Sequence, residues 1–183
     1  MECKENNKKG LVIINTGDGK GKTTAALGLA LRAAGHGQKV LILQFIKGTW
    51  KTGESKIMDR LKPRIEMEQL GRGFIKFVDG KLQVTDRDRK NAKQSLQYAK
   101  EKVSSGKYDM IVLDEINNIV SYGLVDAGEV VKLVMERPEE LCMVLTGRGA
   151  PDELIDIADI VSEIKEIKHA YRKGIKAKKG IEY

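Results

Sequence analysis

Asn15-Thr16-Gly17-Asp18-Gly19-Lys20-Gly21-Lys22-Thr23-Thr24 is a run of residues suited to a polyphosphate. Its glycines let the backbone turn tightly, so that successive N–H groups aim at phosphate oxygens. Lys22 suits the β- and γ-phosphates, and the Thr23 hydroxyl suits Mg²⁺. Gly17, Asp18, Gly19, Lys20, Gly21, Lys22, Thr23 and Thr24 are therefore the candidate nucleotide contacts. The spacing departs from Gly-x-x-x-x-Gly-Lys-Thr, because Thr16 stands where the first glycine belongs. A second constellation closes the apolar run Tyr108 to Leu113, where Asp114 and Glu115 follow. A carboxylate at the end of a buried strand can hold Mg²⁺ opposite Thr23. Asp114, Glu115 and Thr23 are thus the candidate metal ligands, and the sequence leaves open which acid touches the ion. Taken alone, two strand-end acids read as solvent-exposed; beside the phosphate loop the metal role is preferred.

Weaker signals surround these two. Arg148, in Gly147-Arg148-Gly149 at a strand's carboxyl end, is able to reach phosphate, but a lone Gly-Arg-Gly is unspecific. His36, flanked by glycines, reads as a helix-end residue, and His169 as a surface histidine. Aromatic residues are only 5% of the chain, which draws notice to Trp50, Phe74 and Phe77 in loop-like stretches and to Phe45, a core residue. The loop aromatics either face a broad apolar ligand or anchor their loops.

These residues need a frame. Leu11 to Ile14 reads as a strand before the loop, with the helix from Lys22 adding its positive end. Gly35-His36-Gly37 stops that helix, and a second strand follows over 39–45. A helix over 53–61 and a strand over 64–68 come next. The stretch from Leu70 to Val84, with Gly71, Gly73 and Gly80, has no strong periodicity and reads as a long irregular loop. A helix over 85–104 shows Ala92, Leu96, Ala99 and Val103 at helical spacing. The unbroken apolar run before Asp114 predicts an interior parallel strand. A helix over 126–136, a strand over 141–145, a helix starting at Pro151 and a short strand over 160–164 complete the chain. Alternation of this kind predicts an α/β fold with a doubly wound, mostly parallel sheet flanked by helices, whose ligands sit at the carboxyl ends of the strands.

The 183 residues suit one domain, expected over 10–183 behind a short polar segment 1–9. That segment lacks the apolar stretch of a signal peptide, and no segment is long and apolar enough to span a bilayer, so a cytoplasmic protein is expected. Cys3 and Cys142 make neither a disulfide framework nor a metal pair, and Cys142 reads as a small buried hydrophobe. The net charge of +7 includes a basic tail from Lys165 to Lys179. A solvated or anion-facing surface accounts for it better than a nucleic-acid arm.

Six motifs in order resemble one family: Gly17 to Ala26, Arg32-Ala33-Ala34-Gly35-His36-Gly37, Gln44 to Trp50, Val112 to Ile116, Leu145 to Pro151, and Lys168-His169-Ala170-Tyr171 followed by Gly180-Ile181-Glu182-Tyr183. Over about residues 10–183 the chain is similar to the P-loop-type ATP:corrinoid adenosyltransferases. The resemblance implies a P-loop NTPase-like fold and transfer of the 5′-deoxyadenosyl group of ATP to Co(I) of a reduced corrinoid, releasing triphosphate. It implies that ATP lies reversed in the loop relative to ordinary P-loop enzymes, and that Arg32 and His169 lie near the nucleotide. Thr23 with Glu115 would coordinate the metal, Mg²⁺ or Mn²⁺. Phe74 would face the corrinoid. Where relatives can carry Trp this chain has Lys76, so either Phe77 substitutes or the loop treats the corrinoid differently. A flavodoxin-like reductant and a homodimer are further implications. A P-loop ATPase that binds nucleic acid and a small-molecule kinase are the competing readings, separated by the nucleotide product.

Overall fold

The computed structural model describes residues 9–48, 52–73, 76–78 and 81–181. Strand β1 (Val12–Thr16) leads through the glycine loop into α1 (Lys22–Gly35) and on to β2 (Val40–Gln44). Helix α2 (Gly53–Met58) continues as a 3₁₀ turn over Asp59–Leu61 into β3 (Ile65–Gln69). A small hairpin, β4 (Lys76–Val78) with β5 (Lys81–Gln83), precedes α3 (Asp86–Ser104). Then come β6 (Met110–Asp114), α4 (Ile116–Ser121), α5 (Ala127–Met135), β7 (Cys142–Thr146), α6 (Asp152–Ile155) and β8 (Ile160–Glu163). Six strands form one parallel sheet in the order β3-β2-β6-β7-β1-β8.

Both faces of the sheet are covered, which is why β2 and β6 are buried at every position. On one face Ala26, Ala30 and Ala33 of α1 pack with Met58 against Val40, Ile42, Val112 and Val144. On the other, Ala92, Leu96, Ala99 and Val103 of α3 join side chains of α4, α5 and α6 against Leu41, Leu43, Ile111, Leu113 and Leu145. Each of the fully buried aliphatic side chains contributes about 1.5–3 kcal/mol. Helix α3 starts at a capping box in which Thr85 and Asp88 satisfy each other's backbone N–H groups.

Four sequence expectations are corrected. The 70–84 stretch is not wholly irregular, since it carries β4 and β5. The Asp79-Gly80 pair between them in sequence is a strong hairpin signal. Helix α4 was not expected, because it is short and rich in Asn, Ile and Val, all poor helix formers. It forms because Ile116 and Ile119 are buried in the core. Pro151 is the cap residue before α6 rather than its first helical residue, and Cys142 is only partly buried. His36 does cap α1, with its N–H bonded to carbonyls of the last turn.

Strand alternation has a direct consequence at the carboxyl edge. On the α1 face the apolar positions of five strands end in Gln69, Gln44, Asp114, Thr146 and Asn15. The register pairs Gln44 with both Gln69 and Asp114, and Asn15 with Thr146. A polar rung therefore runs across the sheet directly under the glycine loop and the start of α1.

Candidate active site

The rung is hydrogen-bonded along most of its length. The Gln69 Nε2 donates to Gln44 Oε1 at 3.3 Å, and Gln44 Nε2 donates to Asp114 Oδ2 at 2.9 Å. The Thr146 hydroxyl donates to Asp114 Oδ1 at 2.7 Å, and the Thr23 hydroxyl donates to the same oxygen at 2.8 Å. Asp114 is fully buried and receives three donors, so its carboxylate is fixed in place and in turn fixes Thr23. Such a buried acid acts by aiming its neighbours.

The glycine loop is shaped by close contact with the segment after β8. Gly19 donates its N–H to the Ile164 carbonyl at 2.7 Å, and a Cβ on Gly19 would lie 2.7 Å from that oxygen. Gly17 has φ +93° and the same lack of room, 2.5 Å from the Ile164 oxygen. Lys22 folds back into the loop, donating to the carbonyls of Gly17 and Gly19 at 2.6 Å each. Burial, with the Arg148 guanidinium nearby, lowers its pKa. Thr16, at the missing-glycine position, accepts from the Ala150 N–H at 3.2 Å.

Glu115 is built differently from Asp114. Its backbone is left-handed, φ 68°, an uncommon and strained state for a glutamate, held by its N–H donating to Thr146 Oγ1 at 2.9 Å. Its Oε2 is buried without a hydrogen-bond partner among the described residues. Burial, then the Asp114 charge, pushes its pKa up to about 7, against the pull of Lys47 and Lys22. An unpartnered buried carboxylate oxygen in the cleft that Thr23 also lines fits a divalent cation, which would satisfy the orphaned oxygen and discharge the repulsion between the two acids. These donors are all hard oxygens, the set Mg²⁺ or Mn²⁺ takes.

Two further residues shape the charge. Lys47 lies 3.2 Å from Glu54 Oε1 and 3.8 Å from Asp114 Oδ2. Burial alone would lower its pKa, but the Asp114, Glu54 and Glu115 carboxylates outweigh it and raise it. Arg148 accepts its place from Asn118, whose Oδ1 takes the Arg148 N–H at 3.0 Å, and its side chain approaches Asp18 at 3.8 Å. Beneath this turn Asn117 is fully buried, and both its side-chain polar atoms lack hydrogen-bond partners among the described residues.

All of this opens into a cleft of about 810 Å³. Asp18, Gly19, Lys20, Gly21, Lys22, Thr23, Thr24, Glu115 and His169 line it. Gly17 shapes it from beneath through Lys22, and Asp114 lies behind Thr23. His169 caps the 3₁₀ turn Ala170–Lys173, its Nδ1 accepting from Tyr171 N–H at 3.2 Å. Arg32 is not brought to this group. It sits exposed in the last turn of α1, ten residues or about 15 Å along the helix from Lys22. Trp50 and Phe74 lie outside the described residues, and of Phe77 only the backbone, in β4, is described. Sequence reasoning missed Gln44, Lys47, Glu54 and Thr146. The motifs Gln44 to Trp50 and Leu145 to Pro151 contain three of them without indicating a role; the parallel register, by setting Gln44 beside Asp114, supplies it.

A family model described as ATP:corrinoid adenosyltransferase BtuR/CobO/CobP matches residues 8–183. The corrinoid adenosyltransferase of Escherichia coli K12 is 40% identical over 178 residues, 97% of this chain and 87% of that protein. Corrinoid adenosyltransferase CobA of Salmonella typhimurium is 39% identical over 177 residues, covering 96% and 87%. Among solved structures, the KaiC-like protein PH0186 of Pyrococcus horikoshii superposes with a TM-score of 0.53 at 16% identity, over 88% of this chain and 76% of that one. The flagellar accessory protein FlaH of Methanocaldococcus jannaschii gives 0.54 at 12% identity, over 85% and 71%. These two share the fold alone. The chain belongs to the ATP:corrinoid adenosyltransferase family, an enzyme family whose reaction is the ATP-dependent adenosylation of corrinoids.

Proposed function

We propose that this adenosyltransferase holds the triphosphate of ATP on residues Gly17 to Thr24 and presents the ribose C5′ to the cobalt of a reduced corrinoid. The observation that carries this reading is the convergence on one cleft of the glycine loop, the Lys22 ammonium and the Glu115 carboxylate with its unpartnered Oε2. Residues 10–183 are read as one domain for this task, in keeping with the family match over 8–183.

The nucleophile is Co(I) of the second substrate, so no side chain is needed as a base. The chain's work is to bind and orient ATP, to neutralise the leaving group and to keep water out. The N–H groups of the loop and the start of α1 bind phosphate oxygens, and Lys22 exchanges the Gly17 and Gly19 carbonyls for them. Thr23 and Glu115 would hold Mg²⁺ or Mn²⁺, with Asp114 orienting Thr23. The ion supplies positive charge to the phosphate oxygens. His169, on the cleft wall, would stand beside the nucleotide. Phe74, with Phe77 and Trp50, is assigned to the corrinoid side from the family resemblance.

We further assign the protein to cobalamin biosynthesis in the cytoplasm, as a homodimer supplied with electrons by a flavodoxin-like protein. Among the described residues no helix is long and apolar enough to cross a membrane. The test is product identity. ATP with chemically reduced cobalamin is expected to give a cobalt–carbon bond and triphosphate. ADP or orthophosphate, or no alkylated corrinoid, overturns the reading.

A further inference from the structure

We propose that Lys47 meets the negative charge that develops on the departing triphosphate, and that Glu54 positions it. The inference rests on the function proposed above and assigns a second cation to the same cleft. In the transfer, the Co(I) electron pair forms the Co–C5′ bond while the C5′–O bond breaks. That bond's electron pair stays on the triphosphate oxygen, and cobalt becomes formally Co(III). One unit of negative charge thus appears at an oxygen that was an ester in ATP. A cation fixed near that oxygen binds the transition state more tightly than the substrate.

Lys22 and Lys47 enter the cleft from different sides. Lys22 follows β1, whereas Lys47 follows β2, and β6 and β7 lie between those strands. The two ammonium groups thus reach the Asp114–Glu115 end of the cleft from different strands, Lys47 at 3.8 Å from Asp114 Oδ2 and Lys22 beside Thr23, whose hydroxyl donates to Asp114 Oδ1. Arg148 is less suited to a fixed position, because its side chain is 60% exposed and turned toward Asp18. The Lys47 side chain is 22% exposed and lines the cleft.

The backbone carrying Lys47 is clamped. Phe45 N–H donates to the Asp114 carbonyl at 3.0 Å, and Gly73 N–H donates to the Ile46 carbonyl at 3.0 Å. Gly71 lies so close that a Cβ there would be 2.1 Å from the Ile46 oxygen. The ammonium is steered by Glu54 at 3.2 Å, from the first turn of α2. Thr52 caps that helix, its side chain accepting from Ser55 N–H. Preorganisation of this kind means that little reorganisation remains when the charge appears.

The test uses K47Q, K47R and E54Q in the full-length protein, with chemically prepared Co(I) cobalamin and ATP. Single-turnover Co–C bond formation is followed by absorbance, and ATP and inorganic triphosphate are titrated by calorimetry. K47Q is expected to slow bond formation about 100-fold, the usual loss for one donor to a developing oxyanion. ATP affinity should change by less than about threefold, while triphosphate affinity falls at least about tenfold, because only the product carries the new charge. K47R should recover most of the rate, and E54Q should lower the rate without abolishing it. Equal losses of ATP and triphosphate affinity, or an unchanged rate in K47Q, overturn the assignment. If wild-type protein yields ADP or orthophosphate, the reaction itself is wrong and the proposal falls with it, whatever the variants do.

Discussion

Replacing Glu115 with glutamine isolates the carboxylate on which the metal site depends. The Glu115 pKa is raised from 4.5 to about 7 by burial and by Asp114. The unfolded chain loses this proton near 4.5 and the folded, metal-free chain near 7, so stability falls as pH rises through that window. Between pH 4.5 and pH 8 the loss is bounded at about 3 kcal/mol, at 1.36 kcal/mol per pH unit. Denaturant titrations in the presence of a chelator should show this decline in wild type and its absence in E115Q. If a divalent cation then binds the ionised form, the proton must leave. With a pKa of about 7, loading the site should release about 0.9 proton at pH 6, 0.5 at pH 7 and 0.1 at pH 8. ATP titrations under saturating Mg²⁺, run in two buffers of different ionisation enthalpy, give the proton count. The wild-type minus E115Q difference removes the nucleotide's own protons. A difference near zero at pH 6, with metal still bound, would refute Glu115 as the ligand and leave its strained backbone unexplained.

Other substitutions probe the remaining parts. Lys22→Ala should lower kcat/KM for ATP by more than about 100-fold, since it removes the cation inside the cradle; steady-state kinetics decide, and normal turnover contradicts the cradle. Thr146→Val keeps the shape but strands Asp114 Oδ1 and the Glu115 N–H of one partner each, so the unfolding free energy from denaturant titration should fall by about 2–4 kcal/mol. Thr16→Gly restores the ordinary loop spacing yet removes the acceptor for Ala150 N–H, and ATP affinity measured by calorimetry should fall rather than rise. Phe74→Ala should slow adenosylation starting from Co(II) cobalamin more than from Co(I), because the family resemblance implies a role in displacing the axial ligand; equal losses in the two absorbance assays refute it.

The contrast between Asp114 and Gln44 explains how much could be read from sequence. Asp114 was legible because an apolar run ending in acids accompanies a phosphate loop; taken alone, the same acids read as exposed. Gln44 ends a similar run, Val40 to Leu43, but a glutamine at a strand end has many uses. Its role exists only through the parallel register that sets it beside Asp114. Lys47 was likewise hidden, since its partners come from α2 and β6, far apart in sequence. Helix α4 escaped because packing of Ile116 and Ile119 overrides unfavourable local propensity. Arg32 shows the opposite case. Its motif match was good, but the helix places it exposed in the last turn of α1, apart from the residues that line the cleft.

Thr16 joins these threads. In an ordinary loop of this kind the first glycine permits the chain to leave the strand sharply. Here the turn is displaced by one residue to Gly17, at φ +93°, and the Thr16 hydroxyl is free to take the Ala150 N–H. That bond ties the phosphate loop to the Gly147–Ala150 segment, whose Arg148 is set by Asn118 at the end of the Glu115 turn. The loop, the Arg148 segment and the Glu115 turn therefore form one connected wall, anchored below by the Gln69–Gln44–Asp114–Thr146 rung. A wall joined in this way resists displacement when a charged product forms against it.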